Sequence, residues 1–352
     1  MSFAVHELSL TEYSSSSLAE LFNVEESQHY TNHFFQINDN NLIIDARFNL
    51  AQTVTTDSTR DSFDCSDVEL VVFDTISVAL LNELLKTSHL SVLSISAVNH
   101  RIAQTSFRFY VSVANLSEAR ASLSQFCLAN QIEAALVENA PNLNEPGVLV
   151  MDMDSTTIKI ECIDEIAVLA GVGEQVAEVT ELAMQGKLDF AQSLHQRVAT
   201  LENANESILA EVAKNIPLME GLENLIEQLK AHDWKVAIAS GGFTYFADHL
   251  KELLSLDAAV ANTLEIVDSV LTGKVLGDVV DANTKALVLQ NLQQEYQLKP
   301  TQTVAMGDGA NDLTMMAAAQ LGVAFHAKEV VQKQADSSIN FNGLDLMLHW
   351  LK

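Results

Sequence analysis

The chain has 352 residues, 48% of them hydrophobic, and a formal charge of −28 at pH 7. That length can hold two or three domains with real cores, while the charge argues against nucleic acid or an anionic membrane as partner, since either would be repelled at long range. No apolar run reaches the ~20 residues needed to cross a bilayer, and the amino terminus lacks a basic region followed by an apolar one, so a cytoplasmic location is expected. Cys65, Cys127 and Cys162 form no close pair, which suits a reducing compartment and argues against a zinc cluster.

Residues 1–64 carry the weakest pattern. LTEYSSSSLAELF has a capping-type start and reads as one helix, with Ser14 to Ser17 as its starting loop, and FFQI and NLIIDARF read as strands. No role follows for this N-terminal segment.

From about residue 66 to 138 the order is clearer. VELVVF reads as a strand, SVALLNELLKTS as a helix, LSVLSISAV and TSFRFYVSVA as strands, LSEARASLSQFCLANQ as a helix and IEAALVE as a strand. This β-α-β-β-α-β order is the split βαβ, ferredoxin-like pattern, and it predicts an α+β domain over 65–140. The pattern resembles the amino-acid-sensing domains of the ACT type, which bind their ligand beside a glycine-containing turn. The segment contains no glycine. A packing or dimerising module, with a homodimer formed through it, is therefore expected rather than a ligand sensor.

All thirteen glycines lie from Gly147 onward, and APNLNEPG just before them carries two of the four prolines. This composition shift predicts a short linker over 141–147 and a second domain over 148–352. Because close approach of backbone to a phosphate favours glycine, the chemistry is expected there.

That domain opens on VLVMDMDSTT, a strand-type run ending in Asp152 and Asp154. Ligands of open α/β sheets bind at the carboxyl ends of strands, where one aspartate can serve as nucleophile or metal ligand and the other as acid and base. From Glu161 to about Gly221 the apolar spacing is helical and predicts an inserted helical cap. KVAIAS is a second buried strand ending at Ser240-Gly241-Gly242. LEIVDSVLTGKVLGDVV reads as a hairpin turning around Leu271 to Lys274, and ANTKALVLQNLQQEYQL is a helix. TVAMGD is a third strand leading to Asp308, Asn311 and Asp312, and GVAFHA and SINF are expected to be the last two. The alternation predicts a doubly wound, Rossmann-like, mainly parallel sheet.

Four strand ends or helix starts thus offer reactive groups in one order: Asp152 with Asp154, Ser240-Gly241, Lys285, and Asp308 with Asn311 and Asp312. Order and spacing resemble the haloacid-dehalogenase-like superfamily of phosphohydrolases. ECIDEIA, AMQGKLDFAQSLHQRV and SGGFTYF are similar to the phosphoserine-hydrolysing branch of that superfamily. The resemblance covers nearly all of 148–352 and implies hydrolysis of O-phosphoserine, the last step of serine biosynthesis, through an aspartyl phosphate on Asp152.

It further implies Mg²⁺ held by the Asp152 and Asp308 carboxylates and the Asp154 carbonyl, with phosphate oxygens held by Ser240, Gly241, Lys285 and Asn311. Four ionised aspartates around a phosphate dianion are too many for Mg²⁺ and one lysine to balance, so Asp154 is expected to be protonated, its pKa raised by like charge, and to act as acid and then base. Asp312 fits an orienting role toward Lys285 or metal-bound water. In the cap, Arg197 is the only arginine after Arg120 and suits the substrate carboxylate, Glu161 suits its ammonium, and Met184 and Phe190 align with apolar positions that cover it. Other readings of the same residues are a phosphatase or phosphotransferase for another small phosphomonoester, or a silent amino-acid-binding regulatory protein.

Overall fold

The computed structural model describes residues 3–22, 31–38, 40–48, 58–60 and 64–352. Two compact units emerge. One comprises residues 1–140 with 336–342 and 346–352, and the other residues 141–335 with 343–345.

In the first unit Val68–Phe73, Leu90–Arg101, Gln104–Val113 and Ala134–Glu138 pair antiparallel, with helices Val78–Thr87 and Leu116–Asn130 between them in the chain. Numbered along the chain, the four strands lie in the order 4-1-3-2, the split βαβ arrangement. Thr31–His33 adds an edge strand, and Phe35–Ile37, Asn41–Asp45, Phe3–Ser9 and Ser58–Arg60 form a second antiparallel sheet. The N-terminal residues are thus no separate segment, because Leu18, Phe22, Phe35 and Phe48 share one apolar core with Leu70, Phe107 and Phe109.

The helix expected over Leu10 to Phe22 is two short ones, Leu10–Tyr13 and Leu18–Leu21. Ser17 breaks the run because it caps the second in a reciprocal pair with Glu20. The last residues also belong to this unit rather than to 148–352 as expected. Buried Arg108 donates to the carbonyls of His349 and Leu351 at 2.9 Å each while pairing with Glu69, and Trp350 is fully buried.

In the second unit the strands lie in the order Val270–Leu276, Ala258–Val267, Lys235–Phe243, Val148–Met151, Thr303–Gly307 and Leu321–Phe325. All neighbours are parallel except the first pair, a hairpin. Its turn falls at Asp268-Ser269, both at positive φ, rather than at Leu271 to Lys274. Two consecutive left-handed residues give the twist that a two-residue hairpin requires. Helices Cys162–Leu169, Gly173–Met184, Phe190–Thr200 and Ser207–Ala213 form the insertion after the first strand. Residues 141–147, expected as a linker, are bonded into this unit: Gln302 donates to the carbonyls of Asn142 and Glu145, and Trp234 donates to that of Leu143. Gly147 is obligatory there, since a Cβ would stand 2.8 Å from the Trp234 ring.

Val148–Met151 is central, fully buried and paired on both sides, so its carboxyl end opens beside those of Lys235–Phe243 and Thr303–Gly307. A polar group leaving this edge meets the other two strand ends.

Among the described residues, no helix is long and apolar enough to cross a membrane.

Candidate active site

The three strand ends and the cap enclose a cavity of about 130 Å³. It is lined by Asp152, Asp154, Glu161, Phe190, Arg197, Ser240, Gly241, Asp308 and Asn311, all singled out from the sequence, with Ile163, Leu194, Gly242, Phe243 and Gly309 completing the wall. Lys285 and Asp312 stand behind Asp152. The fully buried Lys285 ammonium lies 2.8 Å from Asp152 Oδ2 and 2.7 Å from Asp312 Oδ1, while Asp312 Oδ2 accepts from the Gly309 N–H at 3.0 Å. Burial alone would lower the Lys285 pKa, but the Asp152 and Asp312 carboxylates more than offset it and the amine is held above its ordinary range. Asp312 therefore anchors the cation that faces Asp152.

The turn after the central strand fixes the remaining groups. Asp152 Oδ1 accepts from the Met153 N–H at 2.7 Å, Thr157 donates to the Asp152 carbonyl, and buried Thr156 donates to Asp308 Oδ1 at 3.2 Å. Asp154 Oδ1 accepts from the Cys162 N–H at 3.2 Å. Its pKa is pushed up to about 8, by burial first and by Glu161 and Asp152 next. The sequence argument put like charge first; desolvation outweighs it, because the cap roofs this carboxyl while Lys285 faces Asp152. Burial likewise raises Asp308 and Glu161.

The Asp152, Asp308 and Asp312 carboxylates lie with ligating atoms within 4.8 Å of one another. Oxygen donors alone, facing a single nearby ammonium, fit a hard divalent cation.

On the opposite wall Ser240 Oγ accepts from the Gly242 N–H at 2.9 Å. A Cβ at Gly241 would stand 2.5 Å from Cζ of Phe190, so the cap ring lies directly over this loop. Asn262, for which the sequence offered no signal, donates to the Gly241 carbonyl and accepts from the Val280 N–H, each at 2.8 Å. Arg197 reaches the cavity from helix Phe190–Thr200 with its Nε buried and without a hydrogen-bond partner among the described residues. Met184 is a correction. It is 64% exposed and lines no part of the cavity, because helix Gly173–Met184 buries Val176 and ends at the turn of Gln185 and Gly186, which carries Met184 outward. Ile163 and Leu194, by contrast, do line it, and their helical apolar spacing is indistinguishable from core.

Residues 147–320 match the family profile of haloacid dehalogenase-like hydrolases. A phosphoserine phosphatase of Haemophilus influenzae is 57% identical over 218 residues, covering 62% of this chain and 69% of the relative. The chain belongs to the haloacid dehalogenase-like hydrolase family. A phosphoserine phosphatase of Vibrio cholerae serotype O1 is 60% identical over 216 residues, and the match spans 61% of this chain and 66% of that protein's length. The unliganded crystal structure of a probable phosphoserine phosphatase from Vibrio cholerae superposes with a TM-score of 0.66 at 47% identity, covering 81% of this chain and 86% of that one. Strands Val148–Met151 and Thr303–Gly307, which lead into Asp152 and Asp308, lie within the stretch matched to the hydrolase family.

Proposed function

We propose that the protein hydrolyses O-phosphoserine to serine and phosphate through an aspartyl phosphate on Asp152. The observation that carries the substrate is the buried, unpartnered Nε of Arg197 in the same cavity as Asp152, Asp154 and Glu161. A buried guanidinium nitrogen without an acceptor is costly, and a ligand carboxylate supplies one. Glu161, across the same small cavity, offers an anion to the ammonium, while phosphate falls to Ser240 Oγ, the Gly241 N–H and Asn311. The names of the related proteins point to the same substrate.

Asp152 supplies the attacking oxygen, and Lys285, 2.8 Å from its other carboxylate oxygen, offsets charge arriving on the phosphate. Asp154, holding a proton up to about pH 8, donates it to the departing serine oxygen and then takes one from the water that cleaves the aspartyl phosphate. Phe190, seated over Gly241, closes the roof and keeps bulk water from the first transfer. Mg²⁺, held by the Asp152 and Asp308 carboxylates and the Asp154 carbonyl, would neutralise phosphate oxygens and align the phosphorus. Free Cys65, Cys127 and Cys162 fit a cytoplasmic enzyme.

Phosphate release from a panel of phosphomonoesters, with and without chelator, tests this. Preference for phosphoserine over phosphothreonine, phosphoethanolamine and sugar phosphates, lost with the metal, is expected. Equal rates across the panel would remove the substrate and leave the chemistry.

A further inference from the structure

The turn Asp152 to Thr157 carries three consecutive hydroxyls, and two of them have evident tasks. Thr156 holds the Asp308 carboxylate and Thr157 holds the Asp152 carbonyl. Ser155 differs in its backbone, with φ 56° and ψ 2°, left-handed values that suit glycine and disfavour a side chain. A side chain kept in such a conformation beside a reaction centre calls for a function. Its hydroxyl donates to Glu161 Oε1 at 2.8 Å.

Glu161 has little else to fix it. It occupies the N-cap position of helix Cys162–Leu169 without making a side-chain cap, and it lines the cavity together with Asp152, Asp154 and Asp308. Like charge drives such a carboxylate outward toward solvent. The Ser155 hydroxyl is the tether that holds it against that repulsion, and the left-handed turn aims the hydroxyl at a carboxylate six positions along the chain.

We propose that Ser155 is a specificity-positioning residue that holds the Glu161 carboxylate where it meets the substrate ammonium. This rests on the phosphoserine reading of the site. Ser155 touches neither phosphorus nor the attacking oxygen, so its loss acts through Glu161 and weighs on substrates that carry the amine.

The test compares phosphoserine with 3-phosphonooxypropanoate, the same molecule without its amine, in the full-length enzyme with Mg²⁺. Ser155→Gly removes the hydroxyl and places at this left-handed φ a residue that adopts it without steric cost, so the turn is kept. It is expected to lose about tenfold in kcat/KM on phosphoserine relative to the amine-free compound, mostly through KM. Glu161→Gln should reproduce that loss, and the double variant should lose no more than Glu161→Gln alone. A Ser155→Gly enzyme that keeps the parent's preference overturns the proposal and leaves the phosphoserine reading intact, as does a double variant whose losses add in full. A parent enzyme with no preference for the amine refutes both.

Discussion

Lys285→Met is the substitution for which the structure gives the sharpest stability expectation. The ammonium is fully buried, 2.8 Å from Asp152 and 2.7 Å from Asp312. At an effective dielectric near 20 each contact is worth about 6 kcal/mol gross. Most of that gain offsets the cost of taking three ions out of water, so the net worth of the cluster is far smaller. Methionine matches the aliphatic stem and fills the space, but it leaves two buried carboxylates facing each other with no counter-charge. Breaking a buried pair in this way costs about 3–5 kcal/mol. Urea unfolding in chelator should show that loss at an unchanged m-value. Added Mg²⁺ should recover part of it, because a cation bound only to the folded state restores positive charge beside Asp152. A loss under about 1 kcal/mol, or one indifferent to Mg²⁺, would refute the view that Lys285 is the counter-ion on which this carboxylate cluster depends.

Asp152→Asn should abolish turnover, and acid quenching with radiolabelled substrate should leave no label on the protein, whereas the parent retains label. Arg197→Ala should raise KM for phosphoserine by ~10- to 100-fold, the worth of a hydrogen bond to a charged group, with a smaller effect on phosphoethanolamine, which has no carboxylate. Gly241→Ala should lower kcat, since its methyl would meet the Phe190 ring at 2.5 Å and hold the cap off the loop; an unaffected variant would show that the ring moves aside freely. His349 makes the first unit sensitive to acid. Burial and the charge of Arg101 depress its pKa to about 3, so the neutral ring is favoured in the fold. Its contribution is complete above pH ~6.5 and is lost as the pH falls toward 3, by up to about 1.4 kcal/mol per unit. Unfolding between pH 7 and 4 should therefore be less acid-sensitive in His349→Gln than in the parent.

Much of the site was legible in one dimension because sheet geometry is periodic. A buried β-branched run ending in carboxylates places Asp152 and Asp154 at a strand end, and TVAMGD does the same for Asp308. Parallel pairing then brings these ends together without help from any single side chain. The cap was legible from helical spacing, but its roles were not: Leu194 and Met184 carry the same apolar signal, and only helix packing turns one inward and the other out. The C-terminal residues were misplaced for a related reason, since the buried Arg108 that binds their carbonyls lies more than two hundred positions away.

The sequence by itself determined the alternation of strand and helix, the change in glycine use at Gly147, and the set of reactive residues, because each is a property of neighbours along the chain. Only the tertiary structure decided that burial outweighs like charge in raising the Asp154 pKa, which hydroxyl holds which partner, and that Arg197 arrives in the cavity with an unfilled hydrogen bond. Those outcomes depend on distance through space and on how much water remains around a group, and neither quantity exists until the chain has closed on itself.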